Sequence, residues 1–499
     1  MILKFVLCID LTHLQKYILN IRLLVLLVFL YALGAQAQVL QWSQPTKLKG
    51  TAVFTKVIGE NENGVFLLRY RNRFYTKSII LEKYTHLLVI EQGKAIDLRN
   101  ARLIKLYMTA KGLLIIKSKY NRAQQTNELI AQWYDFNLKP VGPAKTVATA
   151  VPKEFGDRGS FRLRISDDHS FISLLYTELS ENREIIVHHQ LLDNELNAKY
   201  AKTVLLPYQY QNFVINDFLV TNNGETHIAC KTYQKERKKI KSTTQRLFHF
   251  KDSTLNDFVI TDSLSIKSSQ LVYDRANDAA VVVALYGSTN RYGLLGTFFY
   301  RLNKDATEGS MQYGPFNESF MEKVKVNDRN DGAISEGYGI IKAIPRSDGG
   351  MMLITEQKEV ATEDDVVLVN GIPQSTSKNI YNFNELLIIN YDSAAFIDWH
   401  KVITKNQTTV NDAGYFSSAV VYVGDKYIQL LYNDQLRSSG DVMQYTIYNN
   451  GFEESSKLLK TELDFVAVIP SESKQVSSNK IIIPTSKNRR FALIKLVYN

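Results

Sequence analysis

Short apolar runs rich in β-branched and aromatic residues recur along the chain, each opened by a polar turn. Residues 222–252, NNGETHIACKTYQKERKKIKSTTQRLFHFKD, show the unit most plainly. Asn223-Gly224 tolerates positive φ and marks a turn. Residues 226–232 then read as one strand and 245–251 as its hairpin partner, since alternating or continuous apolar runs bounded by Asn, Asp and Gly are strand signals. The pairing recurs as VFLLRY with SIILEK after Gly64, LLIIKS with ELIAQWYD after Gly112, and FISLLY with EIIVHHQLLD after Asp168. It continues as AAVVVALY with LLGTFFYRLN after Asp278, MMLITE with ELLIINYD after Gly349, KYIQLLY with VMQYTIYN after Asp425, and KIIIP with RFALIKLVYN after Asn479.

The eight turns are spaced by 48 to 76 residues, somewhat above the period of a four-stranded blade. The spacers have room for two more strands, such as NFVINDFLVTN before the first unit described and LNDFVITD after it. The expected fold is all-β, a β-propeller of seven or eight four-stranded blades forming a single domain over residues 38–499. The alternative is a pair of β-sandwich domains, which also carry short strands at regular spacing. Because the hairpin recurs without an intervening linker, the propeller is favoured. The last copy ends on its second strand, so VLQWSQPTKL is expected to close that blade and remove a sheet edge.

Residues 23–35, LLVLLVFLYALGA, follow Lys16 and Arg22 and precede Ala35-Gln36-Ala37. A basic flank, a short apolar core and an A-x-A site describe a secretory signal peptide, residues 1–37. The run is shorter than the roughly 20 residues of a membrane span, which disfavours the alternative of a tilted anchor. An exported protein, periplasmic or extracellular, is therefore expected. Cleavage removes Cys8 and leaves Cys230, so no intramolecular disulfide forms; in HIACK that thiol reads as a buried small hydrophobe. The net charge of +10 becomes +8 on cleavage, because the leader carries three Lys/Arg and one Asp. A basic exported chain favours anionic glycans or membrane surfaces and makes nucleic acid an improbable partner. The one dense cluster, residues 235–241, reads as a solvated loop tip.

Candidate chemistry is sparse. FRLRISDDH places Arg162 and Arg164 on one face of an expected inner strand, where a propeller lines its channel. Loosely equivalent positions hold Asp217, Asp274 and Arg346. Arg164, Asp217, Asp274 and Arg346 form the candidate ligand-binding set, against the alternative that they pair with one another. His188 and His189 are adjacent and point to opposite faces of a strand. His227 and His249 lie on partner strands, but two histidines without a third ligand make a poor zinc site; packing is expected, with no metal and no cofactor. Residues 327–332, NDRNDG, fail the EF-hand pattern because Arg329 stands at the third position and Tyr338 at the twelfth. Residues 357–383 form an enlarged hairpin loop with acidic Glu363, Asp364 and Asp365 and an internal Asn370-Gly371 turn between apolar stretches. Its size often signals function, and it is expected to protrude as a second hairpin, against the alternative of a tolerated insertion. Nucleophile-elbow, metalloprotease, phosphate-loop and dinucleotide motifs are absent from the sequence.

The DGG-type turns resemble those of exported bacterial β-propellers in general, across residues 38–499, without the signatures of any one propeller family. The resemblance implies architecture, and fold does not settle function. The expected role is an exported, non-enzymatic binding protein of the cell envelope with a protein or glycan partner, acting as a monomer. The alternative is a propeller-fold glycan hydrolase or lyase with acids at the channel mouth. A third reading, an envelope-assembly scaffold, would require a large apolar surface patch.

Overall fold

The computed structural model describes residues 38–47, 54–71, 79–98, 100–152, 161–236, 239–288, 292–324, 333–369, 372–434, 436, 441–459, 466–487 and 490–498. The expected signal peptide, residues 1–37, and residues 327–332, 370 and 371 lie outside them. Each hairpin of the repeat forms the two middle strands of a four-stranded antiparallel sheet. Gly64–Tyr70 and Ile79–Tyr84, for example, lie between Phe54–Asn61 and Ile90–Ile96. Eight such sheets follow one another among the described residues, at 54–96, 101–150, 162–209, 213–261, 265–315, 338–403, 420–459 and 474–497. They are numbered here as blades 1 to 8. Blade 8 has only three strands from the C-terminal end. Val39–Trp42 supplies the fourth, in register from Val39↔Val497 to Trp42↔Ile494.

The packing closes the ring. A separate apolar cluster fills each boundary between successive blades, from Phe66 and Leu81 against Leu113 and Ile115 through to Leu431 against Ile483 and Leu496. The remaining cluster sets Ile482 and Leu493 of blade 8 on Val65 and Leu67 of blade 1. The chain is an eight-bladed β-propeller. A middle strand packed between two neighbours is buried on both faces, so it reads as a continuous apolar run instead of alternating; Gly64–Tyr70 is buried at every position.

Side chains join the innermost strands across blade boundaries. Tyr107 Oη donates to Leu163 O at 2.9 Å, the Ala343 amide donates to Gln270 Oε1 at 2.8 Å, and Gln475 exchanges two bonds with the backbone of Val423. Lys474 Nζ reaches Ile58 O at 2.5 Å across the closing boundary.

Each blade places its first and third turns on one face of the ring and its middle hairpin on the other. The turn face needs glycine at Gly112, where φ is +148° and a Cβ would lie 2.3 Å from Tyr134 O. Its third turns in blades 2, 3 and 6 share a device that the sequence reading missed. Asp135, Asp193 and Asp392 each accept two backbone amides of their own turn, two and four residues on. Three residues after each stands a buried Leu138, Leu196 or Ala395 at positive φ.

Candidate functional site

The four sequence-predicted residues take up three separate positions. Arg164, on the inner strand Arg162–Ile165, donates from Nη2 to Asp217 Oδ1 at 2.9 Å and from Nε to Phe218 O at 3.0 Å. Asp217 Oδ2 accepts the Leu271 amide of blade 5 at 3.2 Å, so this pair joins three blades. Asp274 is buried and meets Arg301 at 2.5 Å, and Arg301 also donates to Gly349 O in the first turn of blade 6. Arg346 is held within blade 6 by Asp348 at 2.5 Å and Asp398 at 2.8 Å. Arg164 and Asp217 are therefore together, while Asp274 and Arg346 each have carboxylate or guanidinium partners of their own.

On the opposite face from the turns, residues 358–369 and 372–383 form the protruding hairpin that the sequence allowed. They extend the middle strands of blade 6, Met351–Val369 and Ile372–Tyr391, whose register runs unbroken from Lys358↔Phe383 to Val369↔Ile372 beyond a bulge at Glu356. The inner strand Tyr338–Pro345 stops pairing at Gln357. Gln407–Val410 covers the other edge from Ile380 to Phe383, and Asn411 adds two bonds to the Asn379 backbone. Beyond that point the hairpin stands clear, with residues 358–364 and 374–377 exposed. From Lys358 to its tip the arm extends about 40 Å at roughly 3.4 Å per residue. Its root is fixed by Lys405, whose side chain is 0% exposed. The ammonium lies 2.7 Å from Glu356 and donates to Phe383 O and Gln407 Oε1 at 3.2 and 3.1 Å.

The turn face carries a pocket of about 650 Å³ between blades 3 and 4, with Phe171, Leu191, Lys199, Tyr200, Glu225 and Lys251 in its walls. Gly224 shapes it: φ is +82°, and a Cβ there would press to 2.9 Å from Leu191. Glu225 Oε1 takes Lys251 Nζ at 2.7 Å, and its Oε2 lies 3.3 Å from His249 Nε2. Hydrogen bonding to His249 and Lys251 outweighs burial and pulls the Glu225 carboxyl down to about 2. His227 stacks on His249 with centroids 4.7 Å apart, and burial pulls its pKa to about 3. Cys230, further along the same strand, is fully buried, and burial pushes its thiol upward. Sequence reasoning missed Glu225. The available signal was its position two residues before His227, which puts both on one side of an extended chain.

No protein-family model matches this chain, and no curated protein matches it. Among solved structures it is similar to the polysaccharide lyase Uly1, at 10% identity and a TM-score of 0.38 over 79% of this chain and 89% of that one. It is also similar to the β-propeller domain of the Trilobed protease from Pyrococcus furiosus, described as having an open velcro topology. That match has 12% identity and a TM-score of 0.36 over 85% of this chain and 99% of the other. The functional reading rests on the geometry of this chain itself.

Proposed function

We propose that this protein is an exported, non-enzymatic β-propeller binding protein of the cell envelope. It holds a protein or glycan partner on the face that carries the blade 6 hairpin. The observation that supports this reading is the arm itself. Its exposed strands bury little against the propeller, and an isolated two-stranded hairpin is marginal in water, so the arm adds contact surface more than stability. The outer edge of Met351–Val369 beyond Lys358 runs on past its inner-strand partner and is of the kind an added strand pairs with. Glu359, Glu363 and Asp364 give it an acidic character on a basic chain. The Asp217 carboxylate joins blades 3, 4 and 5, and the Asp274 carboxylate is tied up within blade 5 by Arg301 and Asn277, which favours binding over acid–base chemistry at those positions.

The test compares the mature chain from Gln38 with a variant in which residues 362–379 are replaced by Asn-Gly. Both are used against an envelope extract and a glycan array. A partner retained by the full arm and lost from the cropped one, with an unchanged unfolding midpoint, supports the reading. Equal retention by both chains, or release of new reducing ends from a glycan, overturns it. N-terminal sequencing of the protein recovered outside the cytoplasm should begin at Gln38.

A further inference from the structure

We propose that Glu225, His227 and His249 bind one divalent transition-metal ion, zinc above others, beside the pocket between blades 3 and 4. Strand geometry supplies the ligand set. Glu225 immediately precedes the strand Thr226–Glu236, and His227 stands two residues further on, so the two side chains share a face. His249, on Lys239–Lys251, is the direct cross-strand partner of His227. Three donors thus meet on one face of one sheet, where the two histidines alone would be too few. One ligand atom from each residue lies within 4.8 Å of the others. A tetrahedral zinc ion with bonds of about 2.0–2.1 Å holds its ligands about 3.3 Å apart, so binding turns the two rings out of their present stack, 4.7 Å between centroids, and draws Glu225 in.

A second observation points the same way. His227 and His249 are 3% and 1% exposed, and Nδ1 of each is buried without a hydrogen-bond partner. Packing leaves these nitrogens unsatisfied, whereas buried polar groups in native proteins almost always have a partner. Since His249 now faces Glu225 with Nε2, an ion satisfies them where ring reorientation lets it bind through Nδ1. Two imidazoles and a carboxylate are a zinc ligand set that leaves a fourth position for an exchangeable ligand. Glu225 also lines the pocket, whose walls carry Lys199, so a carboxylate or phosphate group reaching the ion from that side would be favoured. Lys251 is the competitor. Its ammonium now occupies Glu225 Oε1, but its side chain is 52% exposed and free to swing into solvent when a cation takes the carboxylate.

The test uses the mature chain stripped with a chelator. It is titrated with zinc by calorimetry and with Co²⁺ by visible absorption, with circular dichroism on every variant. The expected result is one ion per chain and the intense cobalt bands of a four-coordinate site. Glu225→Gln should weaken binding by more than about tenfold, since even supporting groups around a metal site cost 10–100-fold. Lys251→Met, which frees the carboxylate and leaves the histidines untouched, should tighten it. Absent or substoichiometric binding overturns the proposal, as does binding that Glu225→Gln leaves unchanged or that Lys251→Met weakens.

Discussion

His189, 1% exposed in blade 3, lies with Nε2 3.0 Å from Ser173 Oγ and has no partner for Nδ1. Burial pulls its pKa from 6.5 to about 3. The folded value lies below the unfolded one, so between those values the unfolded chain binds more protons. Stability is then present above pH 6.5 and is lost as pH falls toward 3, at up to about 1.4 kcal/mol per pH unit for this one group. Denaturation midpoints measured from pH 7 to pH 4 should fall, and His189→Asn should flatten the slope by that amount. An unchanged slope in the variant would remove His189 from the account. At this scale the sequence was only partly legible. The opposite orientations of His188 and His189 followed from strand alternation, and the former indeed faces Glu178 and Thr203. Glu225 was missed because a carboxylate just after a turn looks like solvated turn chemistry until its cross-strand neighbours are known. The Asp-x-x-Leu turns were missed for a related reason: Leu138 and Leu196 at positive φ go against residue preference and persist because their side chains are buried.

The elements were the most legible part. The continuous apolar runs each became a middle strand, because burial between two blades removes the need for polar alternation. The blade 6 arm was harder to read. Apolar residues on either side of Asn370-Gly371 marked a second hairpin, but exposed residues 358–364 and 374–377 carry no hydrophobic period, so its register with blade 6 was not legible. Its root gives a clear energetic expectation. Lys405 and Glu356 are 0% and 6% exposed, and removing one partner from such a pair strands a buried charge, at about 3–5 kcal/mol. Lys405→Met should therefore destabilise by that order in urea denaturation. Adding Glu356→Leu should restore a large part of the loss, since a well-packed apolar pair is often neutral. A double variant no more stable than Lys405→Met would show that the pair's hydrogen bonds to Phe383 and Gln407 matter more than its charge.

At the scale of the molecule, seven or eight blades were both open from the spacing alone, because turns spaced by 48 to 76 residues do not fix where a ring closes. Closure settled it: the strand expected to complete the last blade pairs there, and the ring has eight. That strand contributes little burial, since Val39 and Trp42 are exposed, and acts through its backbone. Ser43 exchanges bonds with Leu493 at 3.0 and 2.8 Å, and Thr46 and Lys47 pair with Phe491 and Arg490. A chain lacking residues 38–47 leaves the edge of Arg490–Val497 open. At roughly 1 kcal/mol per lost backbone hydrogen bond it should unfold several kcal/mol earlier in denaturant. Light scattering should show it associating through that edge, whereas a monomer of unchanged stability would count against a closing role.

The pairing of Val39 with Val497 also sets a timetable. Seven blades are built from neighbours in the chain and can assemble in the order of synthesis, each on the one before. The eighth needs the first strand and the last together. The strand Val39–Trp42 must therefore wait, unpaired, until Arg490–Val497 has been made, and the closing step spans nearly the whole ring. Whatever keeps that early strand from finding another edge in the interval contributes as much to a correctly formed ring as the contacts that finally hold it.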